Sequence, residues 1–186
     1  MEQSFRFSVP AGRAGSLHRP RGRCRRGITL LVVCLSCSRL DRPAGPPPTP
    51  AEISLEQFQA LRWLQGTWRG SEQGANPFFE SYVFLSDSTI RSFTYPDSTF
   101  AEASDSGVIT WARNQVTSTM GGSTGGSTWV VTHFDSLALR FDPVRNATNS
   151  FTWIPESRAA WTARVEARGA TGAVRERVYR MERVGT

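Results

Sequence analysis

The sequence predicts an all-β fold: an antiparallel up-and-down β-barrel preceded by one short helix. Three observations carry this. Between Phe78 and Val184 the chain reads as short runs of alternating polarity, separated at regular intervals by turn residues, which is the pattern of strands joined by hairpins. Only one stretch, Ser54 to Gly66, has helical spacing. No cysteine follows Cys37, so no disulfide holds the sheet, and closure into a barrel is the way such a meander removes its edges.

The elements divide the chain into a leader (1–37), a proline-rich tether (38–51) and one domain (52–186). The leader holds seven of the 22 arginines and one of the 16 acids, so it carries the whole net charge of +6. The 15 arginines and 15 acids that follow cancel. A basic pI therefore belongs to the leader and argues for export, not for nucleic-acid binding. Arg19–Arg26 is a basic n-region, Ile28–Leu35 a short apolar run, and Ser36-Cys37 follows at once. A membrane span needs about 18 apolar residues, and this run breaks at Ser36 and Arg39. A small residue before a cysteine at this point resembles a bacterial lipoprotein signal, although Cys34 stands where that family has leucine. The resemblance implies that Cys37 is acylated and that the protein is exported to a bacterial cell envelope and lipid-anchored. A plain secretory signal is the alternative, but no A-x-A-like cleavage site follows.

Five prolines between Pro43 and Pro50 favour an extended polyproline-II tether. At about 3.1 Å per residue it would hold the domain on the order of 40 Å from a bilayer. The domain opens on a helix. Ser54 can cap it, Gln57 completes a capping box, and Phe58, Leu61 and Leu64 share a face; Gly66 is expected to end it. A first strand then begins near Trp68. Further strands are expected at 78–85, 90–95, 107–112, 116–120, 128–134, 137–141, 150–154, 160–166 and 175–184. Turns are expected at Ser86–Ser88, Tyr95–Asp97, Arg113-Asn114, Gly121–Gly126, Asp142-Pro143 and Gly169–Gly172.

Composition excludes several chemistries. The chain has no lysine, so a P-loop lysine or a Schiff base is impossible. His133 is the one histidine beyond the leader, too few for a histidine zinc centre. Asp135 shares its strand face, but no G-x-S-x-G elbow accompanies the pair. No catalytic residue, metal or cofactor is expected, and the protein is not expected to be an enzyme.

The segment Leu61-Arg62-Trp63-Leu64-Gln65-Gly66-Thr67-Trp68-Arg69-Gly70, with Phe151-Thr152-Trp153 and the closing Val178-Tyr179-Arg180-Met181, resembles the lipocalin-like (calycin) domains of an uncharacterised bacterial family. The resemblance runs from Leu55 to Val184. It implies a structural signature of Gly66, Trp68 and Gly70, with an arginine of the last strand, Arg180 or Arg183, packed across Trp68. Nitrobindin-like haem barrels share the G-x-W-x-G opening but coordinate iron through a late histidine, and none follows His133.

For function, the barrel suggests non-catalytic binding of a small apolar or amphipathic molecule. Glu80 has the strand parity of Phe78, Tyr82 and Phe84, so it is expected to face inward with Arg91 of the next strand as a candidate partner. Glu80, Tyr82, Arg91 and Trp153 are the candidate ligand-binding residues. The alternative is a pocketless structural or interaction module of the envelope, in which the aromatic side chains simply fill the core.

Overall fold

A computed structural model describes residues 46–121, 126–169 and 172–185. The leader with Cys37, most of the tether, and part of the glycine-rich hairpin lie outside the described residues. The described chain forms a closed barrel of ten antiparallel strands in up-and-down order, with β1 and β10 sealing the seam. The strands are β1 (Gly66–Ser71), β2 (Phe78–Ser86), β3 (Thr89–Tyr95), β4 (Asp105–Ala112), β5 (Gln115–Met120), β6 (Ser127–Phe134), β7 (Leu139–Arg145), β8 (Asn149–Pro155), β9 (Ala160–Arg168) and β10 (Val174–Arg183).

The helix is shorter than its apolar spacing suggests. Leu55–Gln59 is α-helical (α1), and the chain tightens to a 3-10 turn over Ala60–Leu64. The capping box forms: Gln57 N–H donates to Ser54 Oγ at 3.1 Å, and Ser54 N–H donates to Gln57 Oε1 at 2.7 Å. Phe58, Leu61 and Leu64 are all buried against the barrel end. Gly66 is not a helix cap but the first residue of β1, with φ at +122°. A Cβ there would stand 2.6 Å from Arg183 Nη1, so the position needs glycine for both conformation and space.

The two barrel ends differ. At the helix end the hairpin turns are short, with Arg113 and Asn114 both at positive φ, as a two-residue type I′ turn requires. The chain is fixed to this end as it enters: Ala51 N–H donates to Val131 O and Ile53 N–H to Asn114 O, each at 2.8 Å. Most loops of the far end are longer, 96–104 above all.

One expected turn is corrected. Asp142-Pro143 lies within β7: the reversal into β8 falls later, at 146–148, with Asn146 at positive φ, and the turn that precedes β7 lies at 135–138, where Asp135 Oδ1 accepts the N–H groups of Leu137 and Ala138. β7 pairs with β8 only over Leu139–Phe141, so Pro143 sits where that ladder has lapsed, and on its other side it stands opposite Trp129 next to a bulge, the two settings in which a strand tolerates proline. Leu137, expected to start the strand, is therefore an exposed turn residue.

Candidate functional site

The barrel interior is built largely of aromatic rings. Trp68 is wholly buried at the helix end and donates its indole N–H to Leu64 O at 2.6 Å. Trp63, Trp68 and Trp161 meet edge to face with centroids 5.9–6.3 Å apart. Trp161 continues to Trp153 at 5.4 Å, and Trp153 to Phe141 at 4.9 Å. Phe141 stacks on Phe151 at 4.5 Å, and Phe151 meets Trp129 at 5.5 Å. This chain of rings fills the core at the helix end and runs on into the far half at Phe151 and Trp129.

The cation over Trp68 is Arg183, with Cζ 4.2 Å from the ring centroid. Its three guanidinium nitrogens donate to Trp63 O, Gln65 O and Arg158 O at 2.6–3.0 Å. Arg180, the other candidate, is on the outer wall, paired with Glu156 and Glu182. Strand alternation explains the choice: Trp68 is directly opposite Arg183, while Arg180 stands next to inward Met181 and so faces out. Gly70 also has a packing reason. A Cβ on it would lie 2.3 Å from the Phe78 ring, so glycine lets Phe78 cross the wall and meet Tyr179 edge to face at 5.3 Å.

Toward the far end the lining changes character. Glu80 faces inward, as its parity with buried Tyr82 predicts. Tyr82 donates its hydroxyl proton to Glu80 Oε2 at 2.6 Å, and the Tyr82 ring meets Trp153 edge to face at 5.7 Å. Three of the four candidate residues therefore come together. Arg91 does not join them. It stands opposite Val83 and Val108, both exposed on the outer wall, and its guanidinium lies 5.2 Å from the Phe93 centroid. The partner of Glu80 is a phenol two residues away on its own strand, a pairing that strand periodicity alone makes available.

Burial pushes the Glu80 carboxyl above its ordinary value of 4.5, and the Tyr82 hydrogen bond only partly offsets this. Burial, then the charge and hydrogen bond of Glu80, hold the Tyr82 hydroxyl well above 10.0. Among the described residues no arginine comes within 4.0 Å of Glu80, although its residue surface stays partly open to solvent. An inward carboxyl can accept a hydrogen bond, donate one when protonated, or serve as counter-ion to a cation.

Two other polar or concave features carry less chemistry. A recess of about 420 Å³ opens at the helix end between Ala60, Leu61 and Trp63 on one side and Phe134, Ala138 and Leu139 on the other. Two of its polar neighbours are already engaged: Gln57 in the capping box, and Asp135 in its turn and with His133 at 2.9 Å. On the outer wall Arg140 bridges Asp142 and Glu166 at 3.1 and 2.9 Å. Burial would raise Asp142, but hydrogen bonds from Arg140, Thr132 and Ser150 outweigh it and hold the carboxyl below its ordinary value. That network is fully paired.

One buried donor has no acceptor among the described residues. Trp161 Nε1 lacks a partner, while the indoles of Trp68, Trp111 and Trp129 each reach a backbone carbonyl. Trp161 is wholly buried and its ring lies 6.4 Å from that of Tyr82, next to the carboxyl site. Sequence spacing marks Trp161 as inward, but no local signal marks its N–H as unmatched.

No protein-family model matches this chain, and no curated protein does. Among solved structures, a chain described as EF1p2_mFAP2b bound to DFHBI is similar at 12% identity and a TM-score of 0.36, covering 69% of this chain and 99% of that one.

Proposed function

We propose that this protein is a non-catalytic binder of a small amphipathic molecule, held at a bacterial envelope membrane through acylated Cys37 and the proline-rich tether. The ligand's polar group is taken by Glu80 and Tyr82 inside the barrel. Its apolar body rests among Phe78, Trp153 and Tyr179. The observation that carries this reading is the inward carboxyl: a group that is costly to bury stands among aromatic rings with a single phenol as its partner. A domain built only to fill its core gains nothing from that choice, because an apolar residue of similar volume packs as well without the desolvation cost. The long loops and partly exposed lining of the far half supply a route in.

Native mass spectrometry of the purified protein tests this. A co-purifying small molecule is expected, lost on denaturation and lost in Glu80→Gln. Ligand-free spectra, with no change in tryptophan emission across a series of small amphiphiles, would favour the other reading, a solid envelope module, which the aromatic filling of the helix half also fits.

A further inference from the structure

We propose that the ligand is an organic cation, an ammonium group on an apolar body, with Glu80 as counter-ion and the rings around it as walls. This rests on the ligand-binding reading above and sharpens it to one charge class.

The contrast between the inner and outer walls carries the argument. On the outside, acid after acid is matched to an arginine: Asp87 to Arg62, Asp142 and Glu166 to Arg140, Glu176 to Arg164, Glu156 and Glu182 to Arg180. Those pairs stand in water, where an unmatched charge costs little. The acid inside, where a matching cation would matter most, has none among the described residues and only the Tyr82 hydroxyl at 2.6 Å. Arg177, on the far-end side of Tyr179, is held at 3.8 Å from Glu72 and 3.4 Å from the Tyr179 hydroxyl, rather than at Glu80. Among the described residues the wall thus places no arginine against Glu80.

The rings point the same way. Tyr82 adjoins the carboxyl and Trp153 meets the Tyr82 ring, while Phe78, two residues from Glu80 on the same face of β2, meets Tyr179 on the far-end side. Aromatic faces attract ammonium groups, and more strongly where water is thinned. A carboxylate plus rings is a lining for a cation with attached hydrocarbon. A neutral alcohol would gain the apolar contact but leave Glu80 uncompensated. An anion would face a like charge or require that Glu80 keep its proton.

Burial pushes the Glu80 carboxyl upward, and a cation beside it would act in the opposite direction and favour the anion.

Four probes of equal chain length test the charge class by isothermal titration of the purified protein below micelle formation: octyltrimethylammonium, octylphosphocholine, octanol and octanoate. Saturable binding of octyltrimethylammonium, about tenfold or more tighter than octanol or octanoate, is expected. Glu80→Gln should remove most of that preference while keeping octanol affinity. Glu80→Asp, which keeps the charge and draws it back, should retain the preference in weakened form. If octylphosphocholine binds as well as the simple cation, the source is a choline-type headgroup; if only the simple cation binds, it is a free amine. Octanol or octanoate binding as tightly as the cation, or a Glu80→Gln protein that still prefers the cation, would overturn the charge class and leave ligand binding intact. No binding by any probe, together with ligand-free native spectra, would overturn both.

Discussion

Replacing Arg183 with alanine should destabilise the barrel by about 2–4 kcal/mol. The figure follows from what the guanidinium touches. It lies 4.2 Å from the Trp68 centroid, a partly desolvated cation–π contact contributing about 1–2 kcal/mol. Its Nη2 donates to the part-buried Trp63 carbonyl at 2.6 Å, and this bond, weakened by its partial exposure to water, contributes about 1–1.5 kcal/mol. The bonds to Gln65 O and Arg158 O are reached by water and add a few tenths each. For a domain of this size about 3 °C of melting temperature corresponds to each kcal/mol, so circular-dichroism melts should fall by roughly 6–12 °C. Arg183→Lys keeps a cation but loses the fork that reaches several carbonyls, and should fall about half as far. Arg180→Ala is the control. Its pairs with Glu156 and Glu182 are exposed and should cost under about 1 kcal/mol. An Arg183→Ala protein within about 0.5 kcal/mol of the parent in urea titrations would refute the reasoning, as would an Arg180→Ala protein that loses as much.

Further outcomes follow from the same structure. Gly70→Ala places a Cβ on the Phe78 ring and should cost about 1–3 kcal/mol by thermal melting; Gly70→Ala in a Phe78→Ala background should cost less than in the parent, and strict additivity would count against the clash. Cys37→Ala should move the protein from the membrane to the soluble fraction, and unchanged fractionation would remove the lipid anchor from the proposal. For Glu80 the folded pKa is raised, so its contribution to stability is complete below the unfolded value of about 4.5 and is lost as pH rises through the folded value. Glu80→Gln should therefore flatten the pH dependence of melting between the unfolded and the folded value, and an unchanged profile would place the carboxyl in water.

The fold was legible because closure of a β meander leaves two strong local traces: alternation along each strand and turn chemistry between strands. Both are visible from Phe78 to Val184, and Arg113-Asn114 supplies the turn that its spacing demands. The errors fall where tertiary pairing overrides a local signal. Asp142-Pro143 reads as a turn, yet the proline sits within β7, beyond the end of the β7–β8 ladder, a circumstance set by β8 and not by its own neighbours. Phe79 has outward parity yet is buried, because Phe100 packs over it at 5.4 Å between rings and is itself held by Tyr95, the cross-strand partner of Phe79, at 5.3 Å. Nothing within β2 announces that cover.

The site divides along the same line. Inward parity of Glu80 is a property of one strand, so the sequence shows it. Its partner is a choice among neighbours, and charge complementarity favours Arg91, which the β2–β3 register puts on the outer wall opposite Val83. The arginine at Trp68 was likewise a choice between two, and only the β1–β10 register decides it. Both decisions remove arginine from the middle of the barrel: Arg183 is fixed to backbone at the helix end, and Arg91 and Arg180 are outside. With no lysine in the chain, a cation for Glu80 has to come from another arginine or from a ligand. Arg177 is committed to Glu72 and Tyr179. The absence of lysine, which first served only to exclude phosphate loops and Schiff bases, thereby becomes part of the reason to look for a cationic ligand beside Glu80.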